Sequence, residues 1–217
     1  MFNHITHLSF SSLWLYMTDR EKWGRQYVDG IKDEPTEAMS IGSNSHKEVE
    51  LYLLGKGDKD ASLLFSYWLS WFDSKTGLIL TPEVKGKYEC EGQRPVIGYM
   101  DAVQDDKKVL YDWKFCSSFT KLDTFNLRYA LQAGTYGLFV PEAEKVVFVE
   151  VKKSKSRNGI QVREHEVLLS PMLKETVQNL YKNMERELAG ETLNPTWKDL
   201  YYLESVLCGH LDLDSIF

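Results

Sequence analysis

The sequence predicts an α/β fold: a mixed central sheet flanked by helices, with additional helices at both ends. Three observations predict it. Apolar residues recur at helical spacing through the first third of the chain. From Val84 onward they alternate with polar ones. One helical stretch then divides three strands from two more, giving the order α-α-α, β-β-β, α, β-β, α.

Ser9-Phe10-Ser11-Ser12 supplies caps for a first helix over about 12–27, carrying Leu13, Leu15, Tyr16 and Trp23. Asp33-Glu34-Pro35 marks a loop. A second helix runs from near Ser40 to Leu54 and is stopped by Gly55-Lys56-Gly57. A third covers about 60–75, with Leu63, Leu64, Tyr67, Trp68, Trp71 and Phe72 at helical spacing. That spacing favours core packing over base stacking for Trp68, Trp71 and Phe72. Val84, Gly86, Tyr88 and Cys90 alternate with Lys85, Lys87 and Glu89 in a first strand. The turn Gly92-Gln93-Arg94-Pro95 leads to a second strand, 96–103, and Asp105-Asp106-Lys107-Lys108 forms the tip before a third, 109–115. A helix over about 122–139 is closed by Pro141. The apolar run Val146-Val147-Phe148-Val149 reads as a strand covered on both faces, over 145–152. An edge strand follows over 160–168. Ser170-Pro171 caps a helix to about Ala189, and Asn194-Pro195 precedes a short final helix. The 217 residues are thus expected to form one domain: a helical part over 1–76, a sheet core over 77–169 and C-terminal helices over 170–217.

Hydrophobic residues are 43% of the chain and charged residues 27%, which excludes bulk disorder, a collagen-like chain and a coiled-coil rod. A chain of this length hides roughly 70% of its unfolded surface, enough for a sizeable core. No apolar run approaches the roughly 20 residues of a membrane helix, so no membrane partner is expected. The first residues lack the basic start and apolar stretch of a signal peptide. Cys90, Cys116 and Cys208 are odd in number and widely spaced. They read as free thiols in a reducing compartment, and no zinc ribbon is expected. A cytoplasmic location follows, the host cytoplasm for a viral protein. The net charge is −6, so contact with nucleic acid requires a local patch.

Asp101 on the second strand and Asp112 on the third are joined by a short tip that brings them opposite each other. Asp112 and Lys114 share a face, because strand side chains repeat every two residues. Alternation alone allows a solvated face. The aromatic neighbours Tyr111, Trp113 and Phe115 make idle charges there costly.

Gly98-Tyr99-Met100-Asp101, followed by Asp112-Trp113-Lys114 on the next strand, resembles the Gly-x-x-Asp and Asp-x-Lys motifs of the PD-(D/E)xK nuclease superfamily. The branch it resembles is that of the RecB/Cas4-like exonucleases, with the mitochondrial genome maintenance exonuclease and phage relatives. Ser9-Phe10-Ser11-Ser12-Leu13 is similar to the opening helix of that branch. Gly42 to Glu50 is similar to its G-x-x-x-H-x-x-x-E helix, Gln132 to Tyr136 to its Q-x-x-x-Y motif, and Asn194-Pro195 to its C-terminal N-P signal. The motifs keep their order over most of the chain.

The resemblance implies a restriction-endonuclease-like core and a metal-dependent DNA exonuclease. The implied substrate is single-stranded DNA or DNA ends, in replication, recombination or repair. A structure-specific endonuclease and a non-catalytic DNA-binding module are the alternatives. It implies Mg²⁺ or Mn²⁺ held by Asp101, Asp112, the carbonyl of Trp113 and His46, with Lys114 orienting the attacking water. Taken alone, a helical His is more often a surface or core residue; as a ligand it would tilt the site toward Mn²⁺. Glu50, one turn on, is a candidate to orient the imidazole, and Glu83 a further acidic candidate.

Arg128, Gln132 and Tyr136 form one helical stripe. It reads either as a core edge or, following the resemblance, as a polar row facing the site and contacting the DNA backbone. Lys152, Lys153, Lys155 and Arg157 form the one dense basic run, read either as a solvated hairpin or as a phosphate-tracking loop. The iron–sulfur cluster of some relatives needs four cysteines, so none is expected with three. No protein partner is indicated.

Overall fold

Each strand of the central sheet is set by its neighbours in a five-strand order, β1-β2-β3-β4-β5. The computed structural model describes residues 5–59, 61–119, 126–153 and 159–209. β1 (Leu80–Tyr88), β2 (Val96–Gln104) and β3 (Val109–Cys116) form an antiparallel meander. β4 (Lys145–Lys152) is parallel to β3, and β5 (Val162–Leu168) closes the far edge antiparallel to β4. A parallel pair needs a crossover, and helix α5 (Leu127–Phe139) provides it.

Two helical layers sandwich the sheet. On one face lie α1 (Phe10–Thr18), α5, α6 (Pro171–Leu188) and α7 (Leu200–Leu207), packed on Met100, Leu110, Val146 and Phe148. On the other, α3 (Glu37–Leu53) and α4 (Leu63–Asp73) cover Trp113, Val147, Val149 and Val151. β4 therefore has apolar residues buried on both sides, as its unbroken run predicts. Trp68 has no exposed surface. It stacks on Phe72 at 5.1 Å and meets Trp113 edge-on at 5.5 Å, so the α4 aromatics are core.

Several boundaries differ from those expected. The first helix stops at Thr18, because Asp19 turns to cap a new start: its carboxylate accepts from the Lys22 amide at 2.9 Å. A four-residue helix, α2 (Arg20–Trp23), follows and continues as a π-helical turn over Gly24–Val28. α5 begins at Leu127, capped by Asn126, rather than at 122. β1 starts at Leu80, four residues earlier than expected. Pro82 reads as loop chemistry in sequence but is tolerated here because β1 is an edge strand.

The local feature that shapes the site is a matched reversal in β1 and β2. Val84, Tyr88, Val96 and Met100 face the α5–α6 layer, whereas Leu80 and Ala102 face the α3–α4 layer. Strict alternation would keep Leu80 with Val84 and Met100 with Ala102. Both strands therefore switch faces at Glu83 and Asp101, which stand opposite each other in register. Glu83 makes the switch with φ 51°, a left-handed conformation costing about 1–3 kcal/mol for a non-glycine residue. Beyond Ala102↔Tyr111, β2 and β3 separate. The edge of β2 that β3 leaves is taken by Leu8, whose amide donates to the Pro95 carbonyl and whose carbonyl accepts from Ile97.

Candidate active site

The fork between β2 and β3 brings Asp101, Asp112 and Lys114 near one another. Asp101 and Asp112 stand at its mouth, opposite in the register of the last paired residues. Asp101 Oδ2 accepts from the main-chain N–H of Trp113 at 2.7 Å, satisfying a donor that the splayed strands leave free. N–H and C=O of one strand residue point to the same edge, so the Trp113 carbonyl also faces the fork. Asp101 Oδ1 lies 3.2 Å from Nδ1 of His46, which reaches in from α3 on the opposite layer. The imidazole is further located by an edge contact with Phe115, at 5.2 Å between centroids.

Asp112 is 3% exposed and sits in a closed polar ring. Its Oδ2 accepts from Tyr136 Oη at 2.8 Å and from Gln132 Nε2 at 2.7 Å. Gln132 Nε2 also donates to Tyr136 Oη, and Gln132 Oε1 accepts from Lys114 Nζ at 3.1 Å. Only this amide orientation sets NH₂ against the carboxylate and oxygen against the ammonium. Lys114 Nζ stands 2.5 Å from Asp112 Oδ1, a charge-assisted contact that completes the ring. Burial pushes the Asp112 carboxyl above the usual carboxylate range, against the pull of Lys114. Burial likewise holds the Tyr136 phenol well above its ordinary value, with the Asp112 charge adding to it, so the phenol remains a donor. For His46, burial lowers the pKa but the Asp101 carboxylate outweighs it, and the net shift is upward.

The residues fit a divalent cation in chemistry. Two carboxylates, a main-chain carbonyl and one imidazole make an oxygen-rich set suited to Mg²⁺ or Mn²⁺. Among the described residues no three His, Cys, Asp or Glu side chains converge into a ligand cluster by themselves. Lys114 provides the positive charge beside Asp112 in this arrangement.

Two expectations need correction, that for Glu50 and that for the stripe on α5. Glu50 does not orient His46: it pairs with Lys47 at 2.7 Å, and the His46 partner is Asp101. The stripe on α5 does not present one surface. Gln132 and Tyr136 are buried against Asp112, which removes them from contact with a DNA backbone. Arg128 is exposed and lies over the ring of Trp14, at 5.7 Å from its centroid, outside the Asp112 ring. Of the basic run, Lys152 ends β4 with its ammonium 5.7 Å from the ring centroid of Phe119, and Lys153 follows it. Lys155 and Arg157 lie outside the described residues.

Glu83 is opposite Asp101. Burial raises its pKa first, and the charges of Asp101 and Glu50 raise it further. Glu150 was missed by the sequence reading. It is 1% exposed, shares the register of Lys114 on the adjacent strand, and is held by Tyr129 Oη at 2.9 Å and Arg163 Nη2 at 3.2 Å. An acidic residue inside an apolar run was the available signal, since a buried charge requires partners.

No protein-family model matches the sequence, and no curated protein matches it. Solved structures do match in fold. The alkaline exonuclease LHK-Exo of Laribacter hongkongensis, in complex with dAMP, superposes with TM-score 0.58 at 14% identity, over 96% of this chain and 97% of that one. Another structure of LHK-Exo gives 0.51 at 14% identity, over 97% and 98%. A putative exonuclease from Eubacterium rectale gives 0.54 at 17% identity, over 97% of this chain and 84% of that one. At these identities the likeness is one of architecture: a five-strand mixed sheet flanked by helices, arranged as in solved exonucleases.

Proposed function

We propose that this protein is a metal-dependent DNA exonuclease of the PD-(D/E)xK superfamily, in its RecB/Cas4-like branch and without an iron–sulfur cluster. The observation that carries the reading is the fork itself, with His46 paired to Asp101 and Lys114 paired to Asp112 where two strands part. The fold shared with exonucleases supports it, and dAMP bound to one of them fits a nucleotide-releasing reaction on DNA.

A bound divalent ion supplies Lewis acidity toward the scissile phosphate and lowers the pKa of water. Asp101, Asp112, the Trp113 carbonyl and His46 are the groups that would hold it. Lys114 directs the attacking water and offsets charge developing on the phosphate. Gln132 and Tyr136 act through Asp112, holding Oδ2 while Lys114 stands at Oδ1. Glu83 adds negative charge at the rim. Lys152 and Lys153 offer phosphate contacts beyond the site, as Lys155, Arg157 and the exposed Arg128 do in the sequence. Replication, recombination or repair is the setting we assign, in the cytoplasm.

The test is cleavage of end-labelled linear DNA, single- and double-stranded, with Mg²⁺, Mn²⁺ or excess chelator. Release of mononucleotides from ends that stops with chelator is expected. Cutting of circular single strands would replace exonuclease by endonuclease. No cleavage of any DNA by folded protein under any metal would sink the reading.

Two variants probe the ligands. His46→Ala should weaken Mn²⁺ binding more than Mg²⁺ binding in calorimetry, since imidazole is the softer donor. An unchanged Mn²⁺ affinity makes His46 structural. Tyr136→Phe removes one buried donor to Asp112. It should lower kcat about tenfold with KM for DNA nearly unchanged, at a stability cost of about 1 kcal/mol. A KM effect alone would mean that Tyr136 touches substrate after all.

A further inference from the structure

The matched reversal in β1 and β2 leaves an uncovered face running into the fork. Before Asp101, alternation turns Val96 and Met100 inward to the α5–α6 layer, so Ile97 and Tyr99 point outward. On β1, Lys85 and Lys87 point the same way and stand opposite Tyr99 and Ile97 in register. Inside the hairpin, Gly86 and Gly98 face each other and receive the ring of Phe139; a Cβ on Gly86 would come within 2.2 Å of it. The hairpin is thus held from behind, and its outer face stays open.

Tyr99 on that face is 56% exposed, far more than a phenol needs merely to hydrate its hydroxyl. Lys85 has no ion-pair partner among the described residues, while Lys87 shares its charge with Glu89 at 2.6 Å. Along β2, Ile97, Tyr99 and Asp101 follow at intervals of about 7 Å, two residues of strand each. An apolar residue, an exposed ring and a metal-ligating carboxylate therefore succeed one another in a line, with lysines alongside the first two. In a chain of net charge −6, this places positive charge and an aromatic platform directly beside the fork. Sequence-tolerant single-strand binding uses this pair of elements: rings for base faces and cations for the backbone.

We propose that the outer face of the β1–β2 hairpin is the platform that leads single-stranded DNA to the fork. Tyr99 stacks on a base next to the scissile nucleotide, and Lys85 contacts the adjoining phosphate. The proposal rests on the nuclease reading and names the substrate's form. A second protein chain fits less well, because the face has one large exposed ring rather than a broad apolar patch.

The test measures affinity for a fluorescein-labelled oligothymidylate in Ca²⁺, where cleavage is expected to be blocked, together with cleavage in Mg²⁺. Tyr99→Ala should bind about 5- to 150-fold more weakly, the range of one lost stacking contact, and Tyr99→Phe should bind as wild type. Moving a single abasic site along the strand should find one position that weakens the wild type by the same factor and leaves Tyr99→Ala unaffected. A merely structural role of Tyr99 cannot produce that coupling. Lys85→Gln should flatten the salt dependence by about 0.7 in log–log slope.

Wild-type affinity in Tyr99→Ala, or equal losses in it with and without the abasic site, overturns the platform. If the wild type nevertheless cleaves DNA, the nuclease reading stands. A wild type that neither binds nor cleaves any DNA overturns both.

Discussion

Asp112→Asn and Lys114→Ala should each lower DNA cleavage by on the order of 10³-fold or more, while the protein stays folded. Asn keeps the volume of Asp and still accepts from Tyr136, so the packing around the buried ring is retained. It cannot carry the charge that holds a cation, and its carbonyl is a far weaker ligand. Loss of Lys114 takes away the ammonium within reach of both Asp112 and Gln132. Removing a single preorganised charge-stabilising group typically costs 10²–10³ in kcat, and disturbing the metal adds to that. Both variants should retain cooperative thermal unfolding. Turnover within tenfold of wild type, in either folded variant, would remove this fork as the site of chemistry.

The largest stability effect is expected from Trp68→Ala. The side chain is fully buried and packs on Phe65, Phe72, Trp71 and Trp113. Its Nε1 has no hydrogen-bond partner among the described residues, so the substitution chiefly removes packing. Truncating a buried Trp to Ala costs about 3–5 kcal/mol. For a chain of this size each kcal/mol lowers Tm by about 2–4 °C, so a fall of roughly 6–20 °C should appear in calorimetry. Because Trp113 lies between Asp112 and Lys114, the loss should also reach the fork and lower activity near the new Tm. A change in Tm below 3 °C would mean that the aromatic layer does not support the catalytic strand.

What the sequence revealed follows from periodicities. The two-residue repeat of a strand was enough to put Asp112 and Lys114 on one face, and a short tip was enough to set Asp101 opposite. The i, i+4 spacing on α5 correctly paired Gln132 with Tyr136. It could not say whether their stripe looked outward or toward the sheet, because that depends on how α5 rolls onto Leu110 and Phe148. The partner of His46 was hidden for the same reason. Glu50 is its neighbour along the helix, yet Asp101 becomes its neighbour only once α3 lies across the sheet. Asp19 shows a local competition: a residue inside an apolar helical pattern capped a new helix instead of continuing the old one. The reversal at Glu83 was illegible because it inverts the very alternation from which strands are read.

The parallel pairing of β3 with β4 has a consequence for how the protein comes to be active. β1, β2 and β3 pair through short connections and can form while little of the chain has been ordered. The donors that close around Asp112 lie on the crossover, and they arrive only when β4 docks and α5 is pressed onto the sheet. Contacts of this long sequence separation are the slow ones to form, because loop entropy must be lost before they contribute. Catalytic competence should therefore appear late in folding, after the meander has taken shape. A chain halted before the crossover closes would carry its carboxylates open to water and hold no defined centre.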